Sequence, residues 1–294
     1  MGKNSKDAVY SAELRAIRRR KVGKAIQTVV AVIVTLIMIF PIYWMVITSL
    51  KTQQETLLMP PSFWPEFGLQ FENYITVFKK ANFSKYYINT VVMTVGILVG
   101  QVTTGVLAAY GFAIGHFKGR DILFYIVLGA LMVPIQVTFI PLFIMCSDWK
   151  MNDTYAGLIL PHLVSAYYIY MMRNAFLSVD SSYIDAGKMD GLGRLGTILH
   201  VLVPMCKSTL ITVTLLTITS GWNSYFWPKI IARAEHRRVL TIGLTNLRNT
   251  YAGQGNVNNH EIMAGAVMAV IPIVILFILG QKYMMTGYSK AAMK

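Results

Sequence analysis

The sequence predicts an all-α membrane protein with six transmembrane helices and a cytoplasmic helical loop between the fourth and fifth. Composition is the first of three observations behind that reading. At 294 residues, with 55% hydrophobic and only 14% charged residues and a mean hydropathy of +0.51, the chain is too apolar for an ordinary soluble domain. The second is a set of apolar runs at about 26–48, 88–113, 122–145, 156–175, 208–228 and 262–283. Each approaches or exceeds the roughly 20 helical residues that cross a hydrocarbon core of about 30 Å. The third is the stretch Asp185 to Pro204, a polar segment punctuated by glycines between two of those runs.

Taken in chain order, a basic tail over 1–25 precedes the first run and contains Arg15, Arg18, Arg19, Arg20, Lys21 and Lys24. The run that follows is longer than a signal-peptide core and lacks a small-x-small cleavage site, so it is read as a retained span. Of the 27 Lys and Arg residues, 17 fall on the side of the two termini and the Asp185 loop, against 10 on the other. The positive-inside rule then places both termini in the cytoplasm, around a membrane body of 26–283 and a C-terminal tail of 284–294. The net charge of +14 is read as topology and contact with anionic lipid headgroups, with no nucleic acid as partner.

Within the spans, Gly96, Gly100 and Gly105 form a small-residue stripe on the second, suited either to packing inside the chain or to a dimer seam. Pro134 and Pro141 interrupt the third, and Pro41, Pro161 and Pro228 punctuate others, as in a pathway rather than a plain bundle. His162 is the one titratable side chain well inside a span, where an interhelical hydrogen bond is the expected role. The spans have no interior carboxylate of the kind that relays protons, which weighs against the alternative of a stand-alone secondary carrier for a small polar solute. Cys146 and Cys206 fall on opposite sides and cannot pair.

Between the fourth and fifth spans, Asp180, Ser181 and Ser182 offer helix caps, and Ser182 with Asp185 makes an S-x-x-D pattern. Gly191 and Gly193 then turn the chain, and Leu195, Ile198, Leu199 and Leu202 recur at helical spacing up to Pro204. A helix-turn-helix lying flat against the membrane is expected over 180–204. Gly191, Gly193 and Gly196 also spell G-x-G-x-x-G, but a dinucleotide site needs a strand before it and a βαβ unit around it. A phosphate-binding G-x-x-x-x-G-K-[ST], an H-E-x-x-H, a C-x-x-C and a G-x-S-x-G are all missing from the sequence. No catalytic residue, metal site or cofactor site is therefore assigned.

This loop resembles the "EAA" loop of the membrane subunits of ATP-binding-cassette (ABC) importers, E-A-A-x-x-D-G followed by a distant Pro. Asp185, Ala186 and Gly187 stand at the EAA positions, Asp190 and Gly191 match the DG, and Pro204 matches the proline. The departures are a shorter acid at Asp185 and Gly187 in place of the second Ala. The segment AAYGFAIGHFKGR, Ala108 to Arg120, resembles a signature of the carbohydrate branch of the same subunits, and the likeness continues through Met132 to Phe143 and Gly221 to Pro228. The chain is similar in this respect to the smaller membrane subunit of maltose-type uptake systems.

That resemblance implies a multi-pass permease of the bacterial cytoplasmic membrane for a di- or oligosaccharide. It implies a second homologous permease subunit, two cytoplasmic ATPase subunits that bind ATP and Mg, and an extracytoplasmic sugar-binding protein. The residues of the EAA-like loop would couple to the ATPases. Aromatic rings that stack on sugar faces and amides that bond hydroxyls make Tyr167, Tyr168, Tyr170, Trp222, Asn223 and Tyr225 candidates for the pathway, although Trp and Tyr belts also mark membrane interfaces. The polar segment Lys229 to Glu261 ends in a run rich in Gly and Asn that suits a flexible external loop. By the same resemblance Tyr251, Asn256, Asn258 and Asn259 would form a tip reaching into the binding protein; a bare connector is the other reading.

Overall fold

The computed structural model describes residues 3–80, 82–253 and 258–291, with side chains described for 20–79, 82–249 and 258–282. Helix α1 runs over Lys3–Ser49, with the basic tail and the first apolar run in one continuous helix. Two short helices follow, α2 over Gln53–Leu57 and α3 over Glu72–Lys80, and then α4 over Phe83–Ala113. Next come α5 (Arg120–Ala130) and α6 (Ile135–Asp148), then α7 (Tyr155–Ile159), a single tight turn over Leu160–His162, and α8 (Ala166–Leu177). The hairpin segment comprises α9 (Ser181–Met189), α10 (Arg194–Gly196), a wide π turn over Thr197–Leu202, and α11 (Val203–Met205). Helices α12 (Lys207–Trp222), α13 (Phe226–Ile231), α14 (Leu240–Gly253) and α15 (Asn259–Ala291) complete the chain. No strand occurs among the described residues.

By length and composition, three helical stretches can cross a bilayer unaided: Arg20–Ser49, Phe83–Ala113 and Asn259–Lys282. Two further crossings arise if each of two bent pairs counts as one span. The third expected span, read as interrupted by prolines, is one of these, α5 and α6 meeting at 97°. Pro134 caps α6 at the corner in extended conformation, as a residue without an N–H does at a helix start. The expected fourth span, 156–175, is divided into α7, the tight turn and α8. By length and composition, then, three to five of the six expected spans are matched by single helices or bent pairs among the described residues.

Helix α4 is the hub, contributing to three apolar clusters at successive levels. Phe83 and Tyr86 pack with Val77, Trp222, Leu240, Leu247 and Ala264. Met93 and Ile97 pack with Leu158, Trp227 and Ile231. Val106, Ala109 and Ala113 pack with Tyr168, Met172 and Phe176, and there Ile184, Ile198 and Leu202 bring in the hairpin. The stripe of glycines on α4 seats the broken segment beside it: a Cβ at Gly96 would lie 2.7 Å from Ile159 Cδ1, one at Gly100 2.2 Å from Leu163 Cδ2, and one at Gly105 2.3 Å from Tyr168 Cδ1. Of the two uses open to that stripe, packing within the chain is the one realised. In contrast α1 packs on α15 and leaves Leu36, Ile37 and Met38 exposed, the state of a helix whose solvent is lipid or another subunit.

Within 229–261 the chain is largely helical before the Gly- and Asn-rich run, of which residues 254–257 lie outside the described residues. Its core is α14, which buries Leu240, Ile242 and Leu247, with Val239 buried just before it.

Candidate functional site

A cavity of about 620 Å³ opens where the helices are broken. The start of α6 supplies Ile135 and Phe139, the 160–168 region supplies His162, Val164, Ser165, Tyr167 and Tyr168, and the end of α12 with the start of α13 supplies Ser220, Asn223, Ser224, Tyr225 and Phe226. Helix α4 forms the floor through Ile97 and Gln101. Breaking a helix at membrane depth frees carbonyls that must find partners, and here side chains provide them. Gln101 Nε2 donates to the His162 carbonyl at 2.9 Å while its Oε1 accepts from the Thr217 hydroxyl at 2.9 Å. The Thr104 hydroxyl lies 2.8 Å from both the Gly100 and Leu163 carbonyls and is shared between them. Ser165 caps α8 by accepting from the Tyr168 amide at 3.2 Å, and Thr154 caps α7 from the Gly157 amide at 3.1 Å. Trp227 Nε1 donates to the Gly157 carbonyl at 2.9 Å and fixes α13 against α7.

Four of the six aromatic and amide candidates meet at this cavity: Tyr167, Tyr168, Asn223 and Tyr225. Tyr168 is also a core residue, 1% exposed, so only part of it can meet a solute. Tyr170 and Trp222 lie outside. Trp222 is buried, donating from Nε1 to the Ala269 carbonyl at 3.0 Å and standing edge-on to Tyr87, so it joins α12 to α15. His162 reverses the expectation of an interhelical side-chain bond. Its backbone carbonyl is bonded, but its imidazole Nε2 is buried with no hydrogen-bond partner among the described residues. Sequence reading missed Gln101, Thr217 and the serines; the available signal was an amide in the middle of the long apolar helix α4.

The hairpin is built from its own backbone. Asp180 caps α9 by accepting from the Ser182 amide at 2.9 Å, which holds its carboxyl below the ordinary carboxylate range. The S-x-x-D alternative is not formed. Asp185 sits in the second turn of α9 and pairs with Lys188 at 2.8 Å; that bond raises the lysine above its usual value. Gly191 takes φ of +80°, with its amide on the Lys188 carbonyl and the Leu192 amide on the Gly187 carbonyl, the paired bonds of a Schellman end. A Cβ at Gly187 would stand 3.3 Å from both Leu192 and Val201 side chains, a close fit that suits a residue with no side chain. Ala186 and Asp190 lie on the exposed side, and the Asp190 amide returns to the Ala186 carbonyl. The Val203 amide reaches back to the Ile198 carbonyl, a wide turn directly before Pro204, whose missing N–H ends the regular ladder. From there 194–205 meets 207–231 at 87°.

For the proposed external tip, Tyr251 falls within α14, with its side chain outside the described residues, and Asn256 is outside them altogether. Asn258 precedes α15, and Asn259 begins it, lining a cleft of about 150 Å³ with Thr48, Lys51 and Glu55 rather than an open loop.

Broken helices around a cavity of aromatic rings and neutral polar groups, with a short helical hairpin at one end, fit a membrane transport subunit. The chain belongs to the family of binding-protein-dependent transport system inner membrane components, whose model matches residues 101–289. It is 30% identical over 271 residues to the arabinooligosaccharides transport system permease protein AraQ of Bacillus subtilis, covering 91% of this chain and 94% of that one. It is 26% identical over 278 residues to the sn-glycerol-3-phosphate transport system permease protein UgpE of Brucella abortus, covering 92% and 98%. Among solved structures it resembles a chain of a bacterial ABC transporter involved in the import of the acidic polysaccharide alginate, with 27% identity and a TM-score of 0.81 over 90% of this chain and 98% of that one.

Proposed function

We propose that this chain is one of two permease subunits of an ABC importer for a di- or oligosaccharide, driven by ATP and Mg bound on two partner ATPases and supplied by an extracytoplasmic binding protein. The observation that carries the reading is the cavity of about 620 Å³, which brings rings and neutral hydrogen-bonding groups together at broken helices. That volume is within the roughly 300–1,000 Å³ typical of small-molecule sites. Family membership and the likeness to AraQ support a sugar as cargo. The 181–205 hairpin is the coupling element, facing the cytoplasm together with both termini. Its Ile184, Ile198 and Leu202 are locked into the core, while Tyr183, Met189 and Leu195 stay exposed as an apolar face for an ATPase groove. Asp185 is exposed and, among the described residues, is held by Lys188, so a basic residue of the ATPase can take that carboxylate without rupturing the helix.

Purification of the assembled complex and ATP-dependent sugar uptake in proteoliposomes test this reading. Asp185→Ala and Gly191→Val are expected to insert normally but to lower ATPase association or transport-linked hydrolysis. Wild-type uptake by both variants would remove the hairpin from the coupling path.

A further inference from the structure

Between the end of α1 and the start of α3 the chain is built inside out. Lys51 is 2% exposed and Glu55 1%, whereas Met59 is 89% exposed and Phe63, Trp64, Phe67 and Phe71 are 60–63% exposed. A loop bathed in water has the opposite polarity, and a protein rarely leaves so many large apolar side chains exposed in one short segment without something to cover them. We infer that the segment 57–71 is a flap set into the headgroup boundary of the bilayer, with lipid as the occupant of its apolar surface.

The way the segment holds itself together is the first ground. Lys51 Nζ donates to the Ser62 carbonyl and stands 5.0 Å from the centre of the Trp44 ring. The Glu55 carboxylate accepts from the Ser62 hydroxyl at 3.2 Å and from the Glu66 amide at 2.6 Å. At the neck, the Gln70 amide donates to the Leu50 carbonyl at 2.9 Å, and Asn73 Nδ2 donates to the Ser49 and Lys51 carbonyls at 2.8 and 2.9 Å. Polar groups are thus turned toward one another, as they must be where water is scarce. From Thr56 to Phe71 the sequence carries a single charge, Glu66.

Depth is the second ground. The stretch Arg20–Ser49 has 30 residues, and at about 1.5 Å per residue it is roughly 45 Å long, enough for the hydrocarbon core and both headgroup regions. Its last turns therefore lie at headgroup level, and the flap folds back beside them. The Tyr43 hydroxyl donates to the Phe63 carbonyl at 2.6 Å, and the Trp44 ring meets Phe63 edge-on at 5.9 Å. Tyr43 lies about 9 Å before the end of α1 at Ser49, and helical side chains lean toward the N-terminus, so Phe63 is drawn toward the bilayer and away from water. The apolar surface of the flap then continues that of α1, where Phe40 and Ile42 are exposed and only 6% of the apolar window is buried. Trp and Tyr rings belong at this depth. On the topology proposed above, the leaflet is the outer one.

The test uses the complete complex, with its partner permease, ATPases and binding protein, in proteoliposomes. A nitroxide spin label is placed on Met59→Cys or Phe67→Cys and, as a water-facing reference, on Asp148→Cys, all three positions being exposed. The signal of the complex without the added cysteine is subtracted, and normal ATP hydrolysis confirms that each labelled complex is assembled. Power saturation compares collisions with molecular oxygen, which concentrates in lipid, and with a water-soluble nickel chelate. The oxygen-to-nickel ratio at positions 59 and 67 is expected to exceed that at position 148 severalfold. A ratio equal to the reference places the segment in water and overturns the inference. Low access to both reagents means that protein covers the segment and overturns lipid as its occupant; the cover is the binding protein if access returns when that protein is left out, and the partner permease if it does not.

Discussion

Helix α4 runs unbroken for 31 residues, while the chain packed along it is interrupted between Ile159 and Ala166. Both are largely apolar, and neither could leave a peptide group unbonded in hydrocarbon. The difference lies in what each supplies to the other. Helix α4 satisfies its backbone internally and so can offer Gln101 and Thr104 to the carbonyls of His162 and Leu163. Its glycines let that backbone come close enough for those bonds to form. A broken helix is stable here because an intact one beside it carries spare polar side chains, and the cavity exists because the break is stable.

The strongest way to break this arrangement is to push the two segments apart. Gly100→Val would set a branched side chain against Leu163, whose Cα is 3.2 Å from the Cβ position, and should lower stability by about 3 kcal/mol, the upper end of overpacking. Thermal unfolding in detergent gives the measure. Gly111 faces open space on the same helix, so Gly111→Ala should change stability by less than about 0.5 kcal/mol. Equal effects at the two sites would dismiss the idea of a seated break.

A smaller effect is expected from removing the bonds without changing the packing distance. Gln101→Leu strands the His162 carbonyl and the Thr217 hydroxyl, at about 1–2 kcal/mol. Because those groups line or adjoin the cavity, transport should fall further than stability alone explains; full uptake in Gln101→Leu would show the break to be self-sufficient.

The turn at Gly191 sharpens the contrast, because its own backbone closes it. Gly191→Ala forces a side chain into the left-handed region and should cost about 1 kcal/mol. Hydrogen exchange should register the loss within 181–205 and leave α4 and α8 protected.

The mildest test concerns the cap of α9. With the Asp180 carboxyl held below its ordinary value of 3.8 by the Ser182 amide, the cap contributes fully above that value. Its contribution is lost as pH falls through the lower folded value. Exchange at the start of α9 should therefore rise on strong acidification in the wild type and stay nearly flat in Asp180→Asn, which caps without a charge. A wild type as insensitive as the asparagine variant would remove the carboxylate from the account.

What the sequence by itself determined are the features that depend on neighbours along the chain. Composition makes the protein helical and membranous, and Asp180, Gly191 and Pro204 mark the start, turn and end of the hairpin within a few residues, because caps, left-handed turns and missing amides act over one helical turn. The proline at 134 marked a corner, though not its angle of 97°. The tertiary structure alone decided what depends on approach across the chain. Trp222 and Asn223 are adjacent in sequence, yet one is buried against α15 and the other faces the cavity, since one residue turns a helix by about 100°. Gln101 and His162 stood out in the sequence only as polar residues in apolar runs, and Thr104 not at all; which groups they meet had no local pattern. Their roles follow from the distance between α4 and the break at 160–165, which is set by where Gly96, Gly100 and Gly105 let two backbones meet.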